Sequence, residues 1–296
     1  MIERVEKEIS ILVEQVGYSE ATRLFKTLKG GKRLRAKLIL KIASDHADAP
    51  LLGAIVELIH AASLLHDDVI DDADLRRGVP SVNATEDSKT AIMLGDILYS
   101  KAFSSLVAFE RDVAATVADA VTALSVGEMM DVRMAKAFNE DEEAYVHMLY
   151  LKTAALIEAA AKSAAQLTGK DAEVYALYGK NLGLSFQIID DILDIVSDEA
   201  TLGKPALNDY VEGKCTLPYI YLYRALEEDE AIRLKSYHGK RITEEDSLWI
   251  KAKMKEHKSI ERSYAVARKL SDEALSAVGD EPALRAIIES MMERRF

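Results

Sequence analysis

Apolar residues spaced three and four apart run through almost the whole chain, while alternating strand patterns bounded by Asn-Gly or Asp-Gly turns are missing. The spacing predicts helices over about 2–16, 32–45, 51–72, 88–108, 112–137, 141–168, 172–197, 217–228, 244–255, 259–277 and 283–293. Two of these, 141–168 and 172–197, are apolar on most faces, through Ala154, Ala155, Leu156 and Ile157 in one and Leu182, Leu184, Phe186 and Ile188 in the other. A helix apolar almost all round belongs at the centre of a larger bundle. Pro50, Pro80, Pro205, Pro218 and Pro282 each fall where a periodic segment starts or ends. No Pro/Gly/Ser-rich linker divides the sequence. The expectation is an all-α fold, a single domain over 1–296 with a helical core and a peripheral C-terminal part.

Composition narrows the function class. Of the 296 residues, 49% are apolar, enough for a sizeable core and against disorder. Fifty acidic against 38 basic side chains give a net charge of −12, the opposite of the basic excess of a general nucleic-acid binder. One cysteine, Cys215, forbids an internal disulfide framework and fits a reducing compartment. No segment reaches the ~18 uninterrupted apolar residues of a membrane span. The start, Met1 to Glu8, is charged and lacks the apolar stretch of a signal peptide. A cytoplasmic protein without an integral membrane segment is expected.

The acids are not spread evenly. Residues 64–77 read LLHDDVIDDADLRR, with Asp67, Asp68, Asp71, Asp72 and Asp74 crowded at the end of an apolar helix. On a helix Asp67 and Asp71 are i,i+4 neighbours and Asp68 and Asp71 are i,i+3, and Asp74 extends that stripe. Like charges at those spacings repel, more so near a helix C-terminus, so something positive should compensate. The pattern returns at 187–195, QIIDDILDI, where Asp190, Asp191 and Asp194 interrupt an apolar helix. Buried together without counter-ions they would be very costly. The spacing lacks the glycine and glutamate of a calcium EF-hand loop. Glu57-Leu-Ile-His60 supplies half of a paired Glu-x-x-His di-iron motif, and no second half is found. Magnesium held by carboxylates while bridging substrate phosphates fits best. Two such stretches suggest facing helices that share metal ions.

Basic groups stand where anions need them. Gly30-Gly31-Lys32-Arg33-Leu34-Arg35 places two flexible residues before three cations at a helix start, where free N–H groups also favour anions. Arg76-Arg77 follows the first acidic cluster, and Lys152-Thr153 sits inside an otherwise apolar helix. The loop LGKPALNDYVEGKCTLP carries Lys204 and Lys214, each after a glycine. Lys, Arg and magnesium together are what a site for two diphosphates requires.

Taken in order, GGKRLR, HDDVIDDADLRRG, KT, FQIIDDILD and GKPALNDYVEGKCTLP resemble the motifs of the trans-isoprenyl diphosphate synthases, the polyprenyl synthetase family, from about Gly30 to Pro218. The resemblance implies the type I isoprenoid synthase fold, helices around a central apolar cavity. It also implies an enzyme joining an allylic diphosphate to isopentenyl diphosphate, one isoprene unit per cycle. By the same resemblance, Asp67, Asp68, Asp71, Asp190, Asp191 and Asp194 would bind about three magnesium ions. Arg76, Lys152, Lys204 and Lys214 would hold the allylic diphosphate, with Thr153 and Gln187 beside the reacting carbons. Lys32, Arg35, His60 and Arg77 would form the isopentenyl diphosphate pocket. Family members are usually homodimers, and so apolar a product implies transient contact with a membrane surface or an acceptor enzyme on release.

Product length reads from the residues before the first aspartate. Ala62 and Ser63, five and four positions before Asp67, are both small, one turn of ~5.4 Å below the acids. Small residues there resemble the medium- and long-chain members, with Tyr99 and Phe103 as a deeper floor, which gives a hexaprenyl to octaprenyl expectation. A short-chain farnesyl or geranylgeranyl synthase is the alternative. A class I terpene cyclase would replace the second Asp-Asp-x-x-Asp and lack GGKRLR. A non-catalytic subunit would have lost one aspartate cluster, and both are intact here.

Overall fold

The computed structural model describes residues 1–28, 30–196 and 207–293. Its helices are α1 (Ile2–Glu14), α2 (Ser19–Thr27), α3 (Leu34–Ile42), α4 (Ala49–Ile70), α5 (Val82–Thr85), α6 (Ser88–Leu106) and α7 (Arg111–Met134). After α8 (Glu142–Leu149) comes a π turn, Tyr150–Ala154, which leads into α9 (Ala155–Thr168) and α10 (Ala172–Val196). Then follow α11 (Asn208–Val211), α12 (Leu217–Tyr223), α13 (Glu228–Ser236), α14 (Glu244–Glu256), α15 (Ser259–Val278) and α16 (Pro282–Met292). The strands among the described residues are β1 (Leu75–Arg76) and β2 (Val79–Pro80), an antiparallel pair with Leu75 opposite Pro80 and Arg76 opposite Val79. Contacts divide the chain into two compact units: Met1–Thr122 with Leu156–Ala176, and Ala123–Ala155 with Leu177–Phe296.

In the first unit α4 is the core element. Leu52, Ile55, Val56, Leu58, Ile59, Ala62 and Leu65 are buried, and the helix packs against α1, α3 and α6. Pro50 lies in the first turn of α4, where its missing N–H costs no helical bond. Asp87 caps α6 by accepting the Thr90 N–H at 2.7 Å. In the second unit the core gathers Tyr145, Leu184, Ile188, Ile192, Leu217, Ile220, Met254 and Ala267. Asp141 caps α8 through the N–H groups of Glu143 and Ala144.

Several details depart from the sequence expectation. The segment 141–168 is not one helix but α8, the π turn and α9. α3 starts at Leu34 because Arg33 adopts a left-handed conformation with φ of 53°, so Lys32 and Arg33 precede the helix. α4 ends at Ile70; Asp71 is its C-cap and Asp72 is left-handed, so Asp74 does not continue the helical stripe. α2, α5, α11, α13 and the β1–β2 hairpin lie outside the expected elements. Two helices, α4 and α7, have the length and mean hydropathy (1.5 and 1.3) of a membrane span. Two thirds of that stretch of α4 is buried in the fold.

The π turn is held by close backbone approach on two sides within the second unit. A Cβ added at Gly127 of α7 would lie 2.3 Å from the Lys152 backbone nitrogen. One added at Gly183 of α10 would lie 2.5 Å from the Ala154 Cα. In an ordinary helix interior, alanine is better than glycine by roughly 0.5–1 kcal/mol. Here the obstacle is backbone that cannot rotate away, so overpacking at about 1–3 kcal/mol decides the sign. Gly183→Ala is therefore expected to lower stability by about 2 kcal/mol, read as a lower denaturant midpoint in equilibrium unfolding. An unchanged or higher midpoint would contradict the close packing.

Candidate functional site

In the first unit α4 delivers Asp67 and Asp68 in its last turn, and the chain then doubles back. Arg77 and Gly78 both have positive φ, 54° and 75°, the two-residue turn that matches strand twist. This hairpin brings Arg76 onto Asp68, which is 4% exposed; its Oδ1 accepts from Arg76 Nε at 2.7 Å and from Nη2. The Asp68 backbone oxygen accepts from Ala73 N–H (2.9 Å) and Asn83 Nδ2 (3.2 Å), which fixes the return of the chain. Burial pushes the Asp68 carboxyl up, and the Arg76 hydrogen bond and charge oppose it. Asp71, Asp72 and Asp74 are exposed.

Two turns earlier on α4 lies His60, in a basic pocket. The Arg77 guanidinium rests against Gly31, and Arg35 presents a buried Nε with no hydrogen-bond partner among the described residues. Burial lowers the His60 pKa well below the usual imidazole value, and the charges of Arg35, Arg77, Arg76 and Arg33 lower it further, so the ring is neutral. Burial also works against the charged forms of Arg35 and Arg77. The structure thus brings Arg35, His60 and Arg77 together, and Lys32 is exposed on the loop before α3. Such a set is suited to a polyanion.

In the second unit the acids of α10 sit among hydrogen bonds. Asp190 is exposed, Asp194 is buried, and Asp191 is 4% exposed. Asp191 accepts from Tyr145 OH and, at 2.9 Å, from Gln187 Nε2. The Gln187 Oε1 accepts from Thr153 Oγ1 at 3.1 Å, so the π turn and the acids share one hydrogen-bonded chain. Burial pushes the Asp191 carboxyl up, and the Asp209 and Asp190 charges push the same way. Asp194 accepts from Asp209 N–H at 3.1 Å, and its backbone oxygen accepts from Leu207 N–H.

Lys152, inside the π turn, donates to Glu128 at 2.8 Å and Asp131 at 2.5 Å, both on α7. Burial works to lower its pKa; the two carboxylates outweigh that and raise it, so the ammonium is firmly charged. Lys214 pairs with Glu212 at 2.7 Å. Lys204 lies outside the described residues. Glu128, Asp131, Tyr145 and Asp209 were not singled out from the sequence. Glu128 and Asp131 had a signal, an i,i+3 acid pair around the glycine-containing GEMMD run.

Among the described residues no three His, Cys, Asp or Glu side chains already form a metal cage. The donors nonetheless suit magnesium. They are carboxylate oxygens, and Asp191 stands among other acids in a setting that a cation relieves. The Glu57–His60 half-motif offers no iron site. Its carboxylate is engaged by the Ala36 N–H and Arg33, and its imidazole is ringed by arginines.

The residues taken as tunnel-forming are spread over α4 and α6. Ala62 is fully buried, and Ser63 donates its Oγ hydrogen to the His60 carbonyl at 3.0 Å. Tyr99 packs on His66 (ring centroids 5.6 Å) and stacks with Phe103 (6.3 Å). Phe103 is 37% exposed, so its ring reaches the surface of the single chain rather than closing a buried end.

Comparison with known proteins identifies the family. The family profile described as Polyprenyl synthetase matches residues 20–254. The short chain isoprenyl diphosphate synthase of Methanothermobacter thermautotrophicus is 38% identical over 249 residues, 80% of this chain and 76% of that protein. The octaprenyl diphosphate synthase of Haemophilus influenzae is 34% identical over 260 residues, 84% and 78% of the two chains. The crystal structure of octaprenyl pyrophosphate synthase from Helicobacter pylori superposes with a TM-score of 0.94 at 40% identity, covering 99% of this chain and 98% of that one. The fold is that of the isoprenyl diphosphate synthases. By sequence and by fold, the chain belongs to the polyprenyl synthetase family of trans-prenyltransferases.

Proposed function

We propose that the protein condenses an allylic diphosphate with isopentenyl diphosphate and repeats the cycle to a medium- or long-chain all-trans polyprenyl diphosphate, in the hexaprenyl to octaprenyl range. The layout of α4 carries this reading. His60, in the basic pocket, and Asp67 and Asp68, in the acid cluster, lie two turns apart on one helix, about 10 Å along its axis. One rigid rod thus presents a guanidinium-lined anion site and a carboxylate site for metal-bound phosphate. The neutrality of His60 fits the same reading, since the ring is not a cationic acid; the Lys152 ammonium is charged, with Glu128 and Asp131 as its partners.

In this proposal Asp67, Asp68 and Asp71 of the first unit and Asp190, Asp191 and Asp194 of the second are the ligands of about three magnesium ions. Magnesium, when bound, neutralises charge developing on the departing diphosphate. Arg76, Lys152, Lys204 and Lys214 hold that diphosphate, and Arg35, His60, Arg77 and Lys32 orient the isopentenyl partner. Thr153 and Gln187 would lie beside the carbon that becomes cationic as its C–O bond breaks. The isopentenyl double bond supplies the electron pair of the new C–C bond. The proton then lost goes to the departing diphosphate, since no side-chain base is required. Apolar walls exclude the water that would quench the cation.

A short-chain product is the second reading, favoured by the name of the Methanothermobacter relative. Ala62, fully buried one turn below the acids, supports the longer product. A single domain in the cytoplasm, with transient membrane contact at release, completes the proposal. So does a homodimer, supported by apolar side chains left exposed on α6 (Ile92, Met93) and α7 (Val126, Met129, Val132).

With farnesyl and isopentenyl diphosphates and magnesium, product analysis is expected to show chains beyond geranylgeranyl, and termination there would select the short-chain reading. Ala62→Phe is expected to shorten the product by at least one isoprene unit, and an unchanged distribution would remove Ala62 from the tunnel. Asp67→Ala and Asp190→Ala are each expected to cost at least about a hundredfold in turnover, as is chelation of magnesium. Near-normal rates in either variant would break the two-cluster assignment.

A further inference from the structure

Glu57 is a buried acid, 3% exposed, that the proposed chemistry does not use. It projects from α4 one turn before His60. Its Oε1 accepts the Ala36 N–H at 3.1 Å, one of the orphan donors in the first turn of α3. Its Oε2 faces Arg33 Nη1 at 3.4 Å, and Arg33 turns its other donors outward to Glu6 at 2.7 and 3.1 Å. The left-handed Arg33 and the start of α3 are therefore both tied to this one carboxylate.

The charge around it is lopsided. Arg33, Arg35, Arg76 and Arg77 all act on His60, and desolvation works against the charge on Arg35 and, less completely, on the partly exposed Arg77. The Glu57 charge favours the charged forms of both Arg35 and Arg77, with Asp68 also acting on Arg77. Arg35 meanwhile keeps a buried Nε without a partner among the described residues. An empty pocket of this kind repels itself, and the anion that fills it supplies what is missing.

We propose that Glu57 is the built-in counter-ion of the basic pocket, a positioning residue that holds the guanidiniums together while the pocket is empty and limits how tightly the isopentenyl diphosphate binds. This rests on the proposed reading of Arg35, His60 and Arg77 as a diphosphate pocket. A purely structural cap would behave differently. Glu57→Gln keeps an acceptor for the Ala36 N–H and removes only the charge, so stability lost by the empty protein should return when an anion enters.

Thermal unfolding of the full chain and of E57Q, each without ligand, with inorganic pyrophosphate and with isopentenyl diphosphate alone, tests this. The expected result is a lower Tm for empty E57Q, a larger rise on adding either anion, and binding tighter by about threefold or more. The KM for isopentenyl diphosphate should fall in step while the KM for farnesyl diphosphate stays put. Should E57Q fold only when pyrophosphate is present, the same effect is seen at its limit; failure to fold even then overturns the proposal. Equal shifts in the two proteins overturn the counter-ion role and leave the pocket reading standing. No shift in the unsubstituted protein overturns the pocket reading and the inference with it.

Discussion

An ionised carboxylate or guanidinium gives up several kcal/mol of hydration when it enters a protein interior, and this chain places both kinds on helices whose other residues are apolar. Three of these groups are met by a charge or dipole delivered from a different element. Arg76 returns along a hairpin to Asp68, Glu57 crosses from α4 to the start of α3, and α7 lends Glu128 and Asp131 to Lys152. The helices are therefore held in register by polar contacts as well as by apolar packing. Those contacts involve the groups proposed to meet substrate.

The π turn shows the same economy in the backbone. It presents Lys152 and Thr153 consecutively from the interior of an otherwise regular segment, and such turns recur at functional sites. Two helices pressing on it at Gly127 and Gly183 leave it little freedom. Thr153 then reaches Asp191 through Gln187, which joins the π turn to a carboxylate disfavoured by burial.

Most of the helical layout was legible because apolar spacing is a local signal, and α4, α6, α10 and α15 fall close to the expected ranges. The two acid clusters were legible for the opposite reason, since charge inside an apolar run has no packing explanation. What could not be read were conformations set from a distance. Arg33 looks like the first turn of a helix, yet it is left-handed, and its guanidinium bonds to Glu6 and Glu57, both far away in sequence. Asp74 has the spacing of a helical stripe, but Ala73 and Ser81 fold back on the end of α4 and take it off the helix. The π turn has no compositional mark of its own; the glycines that let α7 and α10 approach it lie in other parts of the sequence. Phe103 has the spacing of a core partner to Tyr99, and spacing does not tell an inward face from an outward one.

The β1–β2 hairpin is two residues per strand, yet it carries adjacent arginines with unlike destinations. Arg76 grips the acid at the end of α4, and Arg77, bent into the turn, lies over Gly31 beside the basic pocket. Joined by a single peptide bond, they behave as the two tines of a fork. A displacement that loosens one tine from its seat drags the other, so neither anion site can be retuned through this hairpin while its neighbour stays still.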